Sequence, residues 1–125
     1  MATKTFLVPN FSAGLFMCWD MYTQAGYRIN VTLKDSATTY VNASKQSTSI
    51  MPALAEGNSN INGSNLQIIV DIPQSSSIQP SLNAYTIARP DGSIAGYGFN
   101  LNIEDATDQD YNDLYISMTA WKSKG

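Results

Sequence analysis

The stretch GYGFNLNIEDATDQDYNDLYISMTAW, residues 96–121, contains two segments of alternating hydrophobic residues on either side of a run of acids. The alternating positions are Tyr97, Phe99, Leu101 and Ile103 in the first segment, and Leu114, Ile116, Met118 and Ala120 in the second. A period of two residues is typical of a strand that buries one face. The stretch therefore predicts two strands, 96–103 and 114–121, joined by an acidic loop at one end of a sheet.

The rest of the chain repeats this strand pattern. Residues 27–33 alternate in the same way, and residues 66–72 form a continuous apolar run that suits a well-buried strand. Weaker strand candidates are 3–8, 14–20, 38–42, 49–54 and 83–88. Turn-forming residues separate these segments, and GNSNINGSN, residues 57–65, is interpreted as a hairpin loop rather than a linker. With no convincing helix, the pattern predicts an all-β fold, an antiparallel β-sandwich of about nine strands.

Length and composition predict a single domain over residues 1–125. The chain has 125 residues, of which 43% are hydrophobic, and this is enough for one ordinary core. The N-terminus MATKTF has neither the apolar core nor the cleavage site of a signal peptide, and the apolar run 15–19 is too short to span a bilayer. We therefore expect a protein that is cytoplasmic at synthesis and not inserted in a membrane, with release to the extracellular space by another route left open.

The residue types that are rare in the chain exclude several classes of function. There is no histidine and only one cysteine, Cys18, so imidazole-based catalysis and zinc or copper sites lack their usual ligands. The formal net charge is −3, and the seven lysines and arginines form no basic stripe. Nucleic acid is therefore not an expected partner.

The acidic segment 104–113 is the main candidate for a functional site. It carries five of the ten acidic residues of the chain, and no lysine or arginine lies between Pro90 and Ala120. Closely spaced carboxylates repel one another unless they are protonated, solvated apart or neutralised by a cation. A solvated loop is the usual outcome for a charge run. Here the acids are interrupted by Tyr111 and Asn112 rather than by lysine, serine and proline. Closely spaced carboxylate and carboxamide oxygens favour a calcium site, because calcium takes about six to eight oxygen ligands.

The acidic loop does not fit the calcium loop of an EF-hand. The fragment Asp108-x-Asp110-x-Asn112 resembles its opening, but Asp113 stands where glycine is needed and Thr119 stands where glutamate is needed. The loop is instead expected to curl around its ions. Four negative charges, enough to balance two calcium ions, come from Glu104, Asp108, Asp110 and Asp113.

The acidic run, entering a strand that ends in Trp121 and a chain that ends in Gly125, resembles the calcium-dependent fucose/mannose-binding lectins of bacteria, the fucose-binding lectin II family. Supporting similarities along the chain are Phe6-x-x-Pro9, Ile29-Asn30-Val31, Gln46-Ser47-Thr48, and Gly63-Ser64 before the strand 66–72. The resemblance implies a lectin without catalytic activity. It also implies two calcium ions per subunit, ligands that are glycans or glycoconjugates carrying fucose or mannose, and a homodimer or homotetramer.

The resemblance also implies the residues of the site. The implied calcium ligands are Glu104, Asp108, Asp110, Asn112, Asp113 and the terminal carboxylate of Gly125, which would complete a neighbouring subunit's site. The implied sugar-binding residues are Glu104, Asp105, Asp108, Asp110, Asn112 and Asp113, with Thr23 and Gln24 from a specificity loop at residues 20–26. In such a site, vicinal hydroxyls of the sugar ligate both ions.

The chain departs from the family pattern in the specificity loop and at the C-terminus. The segment 20–26 is longer than in the family and carries Met21 and Tyr22 where short polar residues are usual, and the ending WKSKG lacks the family's proline. Trp121 is interpreted as a core or interface residue and Tyr111 as an anchor for the loop, whereas Tyr22 suits packing and sugar stacking equally.

Two alternatives from other classes stay open at this point. In a structural or adhesive β-domain, calcium would brace the loop without binding sugar. In a carboxylate-pair glycosidase, an acid in an apolar pocket would protonate the leaving group. The glycosidase is the weaker alternative, because carboxylates that ligate a metal ion stay ionised.

Overall fold

The structure, a computed structural model, describes residues 1–105 and 110–124. Within those ranges the chain forms nine strands and no helix, so it contains no helix that could cross a membrane. The strands are β1 Ala2–Leu7, β2 Phe16–Thr23, β3 Ala25–Lys34, β4 Thr39–Ser47, β5 Ala55–Asn60, β6 Gln67–Ile72, β7 Gln79–Ala88, β8 Ile94–Glu104 and β9 Leu114–Trp121.

The strands form two antiparallel sheets that enclose one hydrophobic core. The four-stranded sheet has the order β1-β6-β3-β4, and the five-stranded sheet has the order β5-β2-β9-β8-β7. Met21, Leu101 and Ile116 of the larger sheet and Ile29 and Ile68 of the smaller sheet are fully buried in the same core. Every second residue of the central strands points inward, as the alternating sequence requires. The prediction of a nine-stranded antiparallel β-sandwich is confirmed.

One strand lies where the sequence predicts a loop. The predicted strand 49–54 is wrong, since these residues connect β4 to β5, and β5 occupies the start of the segment interpreted as a hairpin loop. Gly57 of β5 lies opposite Trp19 of β2, and a Cβ at this glycine would lie 2.6 Å from the indole ring. The small residue lets an edge strand approach a buried aromatic ring. Backbone pairing with β2, rather than hydrophobic side chains, therefore defines β5.

Several connections meet at one end of the sandwich. Gln24 alone separates β2 from β3, residues 48–54 join β4 to β5, and residues 73–78 join β6 to β7. The described part of the β8–β9 connection lies beside them, because the Gln24 N–H donates to the Asp113 carbonyl at 3.2 Å. The described ends of the acidic segment therefore lie among the turns of both sheets.

Candidate functional site

The ends of β8 and β9 bring three carboxylates of the acidic segment together. Glu104 is the last residue of β8 and is fully buried, while Asp113 is buried immediately before β9. The Asp113 N–H donates to the Ile103 carbonyl at 3.2 Å, which continues the strand pairing into the loop. Asp110 is exposed above them. One carboxylate oxygen from each of Glu104, Asp110 and Asp113 lies within 4.8 Å of the others, and we call these three residues the acidic cluster.

Backbone N–H groups point at the buried carboxylates of this cluster. The Asp105 N–H donates to Asp113 Oδ2 at 2.9 Å, and the Tyr111 N–H donates to Glu104 Oε1 at 3.2 Å. Tyr111 has a φ of 56°, a left-handed conformation that turns the chain back on itself. Its carbonyl accepts a hydrogen bond from Asn102 Nδ2 at 3.3 Å. In its described part the loop therefore turns back so that its backbone N–H groups reach its own carboxylates. The prediction that it curls around ions stays a prediction.

Ser75 attaches the acidic segment to the β6–β7 connection. Its buried hydroxyl lies 2.7 Å from the Asp105 carbonyl and 2.6 Å from the Ser77 carbonyl, and its N–H donates to the Ile72 carbonyl at 3.1 Å. Nothing in the sequence indicates this residue, because a serine in a serine-rich turn carries no signal of a contact with a loop 30 positions further along the chain.

Burial makes the charges of the site costly. The pKa of Asp113 is raised to about 6; burial is the largest cause, the hydrogen bond from the Asp105 N–H opposes it, and the nearby Asp105 carboxylate adds to it. The sequence between Pro90 and Ala120 contains no lysine or arginine. A bound cation would favour the ionised form of each carboxylate.

Asn112 adds a carboxamide to the described residues of this site. Its amide lies against the carboxylate of Asp110, with the nitrogen placed to donate to the two Asp110 oxygens at 2.8 and 3.1 Å. The oxygen of a carboxamide can also ligate a hard cation. Carboxylate and amide oxygens are the donor set that calcium selects, so the described residues fit this ion.

The expected specificity loop at residues 20–26 is a tight hairpin rather than a loop. Met21 and Thr23 belong to β2 and point inward with its other buried residues. The Thr23 hydroxyl is buried and has no hydrogen-bond partner within residues 1–105 and 110–124. Gln24 remains at the surface beside Asp113. The hydrophobic alternation of β2 continues to the turn, and this leaves no room for a separate loop.

Two other residues singled out in the sequence, Asp105 and Trp121, lie in the described part of the chain. The Asp105 side chain is buried beside the acidic cluster. Asp108 and Gly125 lie outside the described residues. Trp121 is half-buried on the outer face of the five-stranded sheet, where its ring stacks on Phe16 with centroids 6.3 Å apart.

A cleft of about 260 Å³ adjoins the acidic cluster on the outer face of the five-stranded sheet. Its lining residues are Tyr22, Gln24, Ile50, Asn102, Asn112 and Tyr115. Asn112 is shared between the cleft and the surroundings of Asp110. Tyr22 is a candidate from the sequence, whereas Tyr115 is not, because its position in an alternating strand indicates only that its side chain faces outward.

Known structures share this architecture, although no protein-family model and no curated protein matches the sequence. A high-affinity mannose-binding lectin of Ralstonia solanacearum matches with a TM-score of 0.63 and 17% identity, over 92% of this chain and 93% of that chain. A Chromobacterium violaceum lectin in complex with alpha-methyl-fucoside matches with a TM-score of 0.62 and 17% identity, over 95% of this chain and 96% of that chain. The chain has the fold of these lectins.

A third solved structure extends the comparison. The C-terminal domain of a Burkholderia cenocepacia lectin matches with a TM-score of 0.64 and 14% identity, over 94% of this chain and 95% of that chain. At these identities the likeness concerns the fold. Any inference about ligands therefore depends on the residues of this chain.

Proposed function

We propose that this protein is a calcium-dependent lectin, a carbohydrate-binding protein without catalytic activity. The observation that carries the proposal is the acidic cluster, in which oxygens of Glu104, Asp110 and Asp113 lie within 4.8 Å of one another at one end of the sandwich. Asn112 adds an amide oxygen, and Asp108 and Gly125 complete the proposed ligand set. Two calcium ions per subunit would balance the four negative charges of Glu104, Asp108, Asp110 and Asp113.

The residues of the chain would act on the sugar by orienting and polarising it. Bound calcium would supply positive charge that draws in sugar hydroxyls. Hydroxyl groups polarised in this way donate stronger, charge-assisted hydrogen bonds to carboxylates such as Asp105 and Asp110. The backbone N–H groups of Asp105 and Tyr111 would hold Asp113 and Glu104 in place, so that the site is formed before the sugar arrives.

The proposed ligands are glycans or glycoconjugates that carry fucose or mannose. Support comes from the resemblance of the acidic segment to the fucose-binding lectin II family, and from a shared fold with one lectin described as mannose-binding and another in complex with alpha-methyl-fucoside. We also propose that the protein is a homodimer or homotetramer.

A glycosidase suits the arrangement less well. Glycosidases place two carboxyl groups on either side of the scissile bond. Glu104 and Asp113 instead face one another and backbone N–H groups of their own loop. Their positions favour holding an ion over flanking a substrate.

Isothermal titration calorimetry of the calcium-loaded protein with methyl α-mannoside and methyl α-fucoside tests the proposal. We expect saturable binding of at least one of them, abolished by EDTA and not restored when magnesium replaces calcium. Absence of heat from a folded, calcium-loaded protein would contradict the proposed function.

The second candidate is a structural β-domain in which calcium only stabilises the loop. The buried position of Thr23 favours it, because the hairpin presents fewer polar side chains than the sugar-binding loop expected from the sequence. This candidate predicts that EDTA lowers the melting temperature while methyl α-mannoside and methyl α-fucoside leave it unchanged in the presence of calcium.

A further inference from the structure

The cleft beside the acidic cluster is built on one row of the five-stranded sheet. Tyr22 of β2 pairs with Tyr115 of β9, and Tyr115 pairs with Asn102 of β8. These side chains point to the same outer face, because paired residues of neighbouring strands share a face. This row is the last outward-facing one before the β8–β9 connection, since the next paired row, with Thr23, Leu114 and Ile103, is buried. The cleft therefore has a floor of regular sheet, which fixes the positions of its side chains.

Two aromatic rings form the apolar part of this floor. The rings of Tyr22 and Tyr115 are stacked, with centroids 6.3 Å apart and an interplanar angle of 14°. Both side chains are half-buried, so part of their ring surface remains exposed to a ligand. Burying exposed aromatic surface is favourable, and tyrosine combines that surface with a polar hydroxyl. A flat ring with apolar C–H groups, such as a pyranose, can pack against it.

The polar groups around the rings are neutral. Gln24, Asn102 and Asn112 supply carboxamides, and none of the described residues that line the cleft is charged. A carboxamide both donates and accepts hydrogen bonds, as a sugar hydroxyl does. A few polar groups placed around an apolar surface are typical of ligand-binding clefts. This combination suits a neutral sugar ring better than an anion or a cation.

The cleft is continuous with the acidic cluster. Asn112 lines the cleft and faces the carboxylate of Asp110, and Gln24 is joined to Asp113 through its backbone N–H at 3.2 Å. A ligand that contacts Asn112 from the cleft side would therefore lie next to a ligand held at the cluster. The occupant that best fits the cleft is the next sugar of a glycan whose first sugar is held at the acidic cluster.

The rim of the cleft is held in place by Lys45. Its ammonium group donates to the carbonyls of Ser49 at 2.8 Å, of Ile50 at 3.3 Å and of Pro52. These bonds fix the β4–β5 connection, which carries Ile50 to the cleft with 46% of the residue exposed. A ligand that covers the exposed side chain of Ile50 would remove apolar surface from water, which favours binding.

We propose that this cleft is a second sugar subsite, so that the ligand of this protein is a disaccharide or longer glycan. The inference rests on the proposed function: one sugar is held at the acidic cluster, and the next sugar packs on Tyr22 and Tyr115. Tyr115 is then a specificity-determining residue for glycan length and linkage.

The test compares one sugar with two on the calcium-loaded protein. Calorimetry would use methyl α-mannoside, methyl α-fucoside, and a set of mannose- and fucose-containing disaccharides that differ in linkage. We expect at least one disaccharide to bind about tenfold more tightly than its methyl glycoside, a difference of about 1.4 kcal/mol. Tyr115→Ala should remove that gain and leave methyl glycoside affinity within about twofold, whereas Tyr115→Phe should retain it because the ring is kept.

Matched variants distinguish the subsite from a general loss of structure. Tyr85→Ala removes a tyrosine from the same outer face, above Gly98 and outside the cleft, and should change neither affinity. Tyr22→Ala should repeat the effect of Tyr115→Ala, with melting temperatures measured for each variant.

Each unfavourable result has a distinct meaning. Equal affinity for one and two sugars across the whole set, or a gain that survives both tyrosine substitutions, would overturn the subsite and leave the proposed function standing. A third outcome is that disaccharides bind in a way that depends on Tyr115 while methyl glycosides do not bind at all. This would support sugar binding in the cleft and contradict the proposed sugar site at the acidic cluster. Absence of binding to every sugar would overturn both.

Discussion

At the scale of single residues, the acidic cluster joins two kinds of carboxylate. Glu104 and Asp113 are buried and receive backbone hydrogen bonds, so they shape the loop as well as offering oxygens. Asp110 is exposed, and its carboxylate lies against the amide of Asn112. Asp110 is therefore the position at which ion binding can be separated from stability.

Replacing Asp110 with alanine should weaken calcium binding by roughly tenfold or more, which is about 1.4 kcal/mol or more, because one charged ligand is lost. The melting temperature in EDTA should stay close to that of the wild type. Calcium titration by calorimetry measures the first effect, and Asp20→Asn, a change of an acid on the outer face of β2, is the control. Unchanged calcium affinity in Asp110→Ala would show that the ion binds elsewhere.

Asp35 is a second informative residue, and it lies in the turn after β3. Its Oδ1 accepts hydrogen bonds from the N–H groups of Ala37 and Thr38, both at 2.8 Å. Its Oδ2 accepts from the Gly63 N–H at 3.0 Å and from the Tyr40 hydroxyl. Burial raises the pKa of this carboxyl, but the hydrogen bonds outweigh burial and hold the pKa below its ordinary value. The ionised carboxylate thus connects two loops.

Asp35→Asn should destabilise the protein by about 2 kcal/mol at neutral pH, because an amide nitrogen would face two donors in place of Oδ2. A lowered pKa in the folded state stabilises the protein above the unfolded pKa of about 3.9, and this stability is lost as the pH falls through the folded pKa. The difference between wild type and variant should therefore shrink below about pH 4. Urea unfolding at several pH values measures it, and a difference that stays constant with pH would contradict the role of the charge.

At the scale of elements, the sequence predicts the central strands better than the edges. The strands β3, β6, β8 and β9 bury one face in the core, and their alternating or continuous hydrophobic residues reveal them. The edge strand β5, AEGNSN, has almost no hydrophobic side chain, so backbone pairing and Gly57 define it instead. Within the site, the acids could be predicted because they are neighbours in sequence. Ser75 could not, because only the packing of a connection distant in sequence brings it there. The role of Tyr115 could not, because strand alternation shows only that its side chain faces outward.

The edge strand β5 gives a prediction of its own. Gly57→Ala should destabilise the protein by about 1–3 kcal/mol, the usual cost of overpacking, because the new Cβ would lie 2.6 Å from Cζ2 and 2.9 Å from Cε2 of the buried Trp19 ring. Asn58→Ala, on the opposite face of the same strand, should change stability by less. Chemical denaturation of both variants measures the difference, and a neutral Gly57→Ala would contradict the tight contact.

At the scale of the whole molecule, the other edge of the larger sheet is left open. β7, QPSLNAYTIA, pairs only with β8 among the described strands, contains no charged residue and is exposed along most of its length. Leu82 and Tyr85 are 54% and 40% exposed. Long, uncharged edge strands tend to pair with another chain. β7 is thus the surface that best supports the proposed homodimer or homotetramer.

Leu82→Lys should shift the protein from an oligomer towards the monomer, since it places a charge on this edge strand. Leu7→Lys is the matched control, because Leu7 is 67% exposed on β1 of the other sheet. Size-exclusion chromatography with light scattering gives the mass of each species. An oligomer that persists in Leu82→Lys and dissociates in Leu7→Lys would place the interface on the smaller sheet instead.

A crystal structure of the protein grown with calcium and methyl α-mannoside or methyl α-fucoside, with anomalous scattering used to locate the ions, would reveal the proposed site itself. We expect two calcium ions among Glu104, Asp110, Asn112 and Asp113, and sugar hydroxyls in contact with both. Calcium ions at the cluster without a bound sugar would support the structural β-domain instead. No ion at the cluster in saturating calcium would rule out the proposed lectin site.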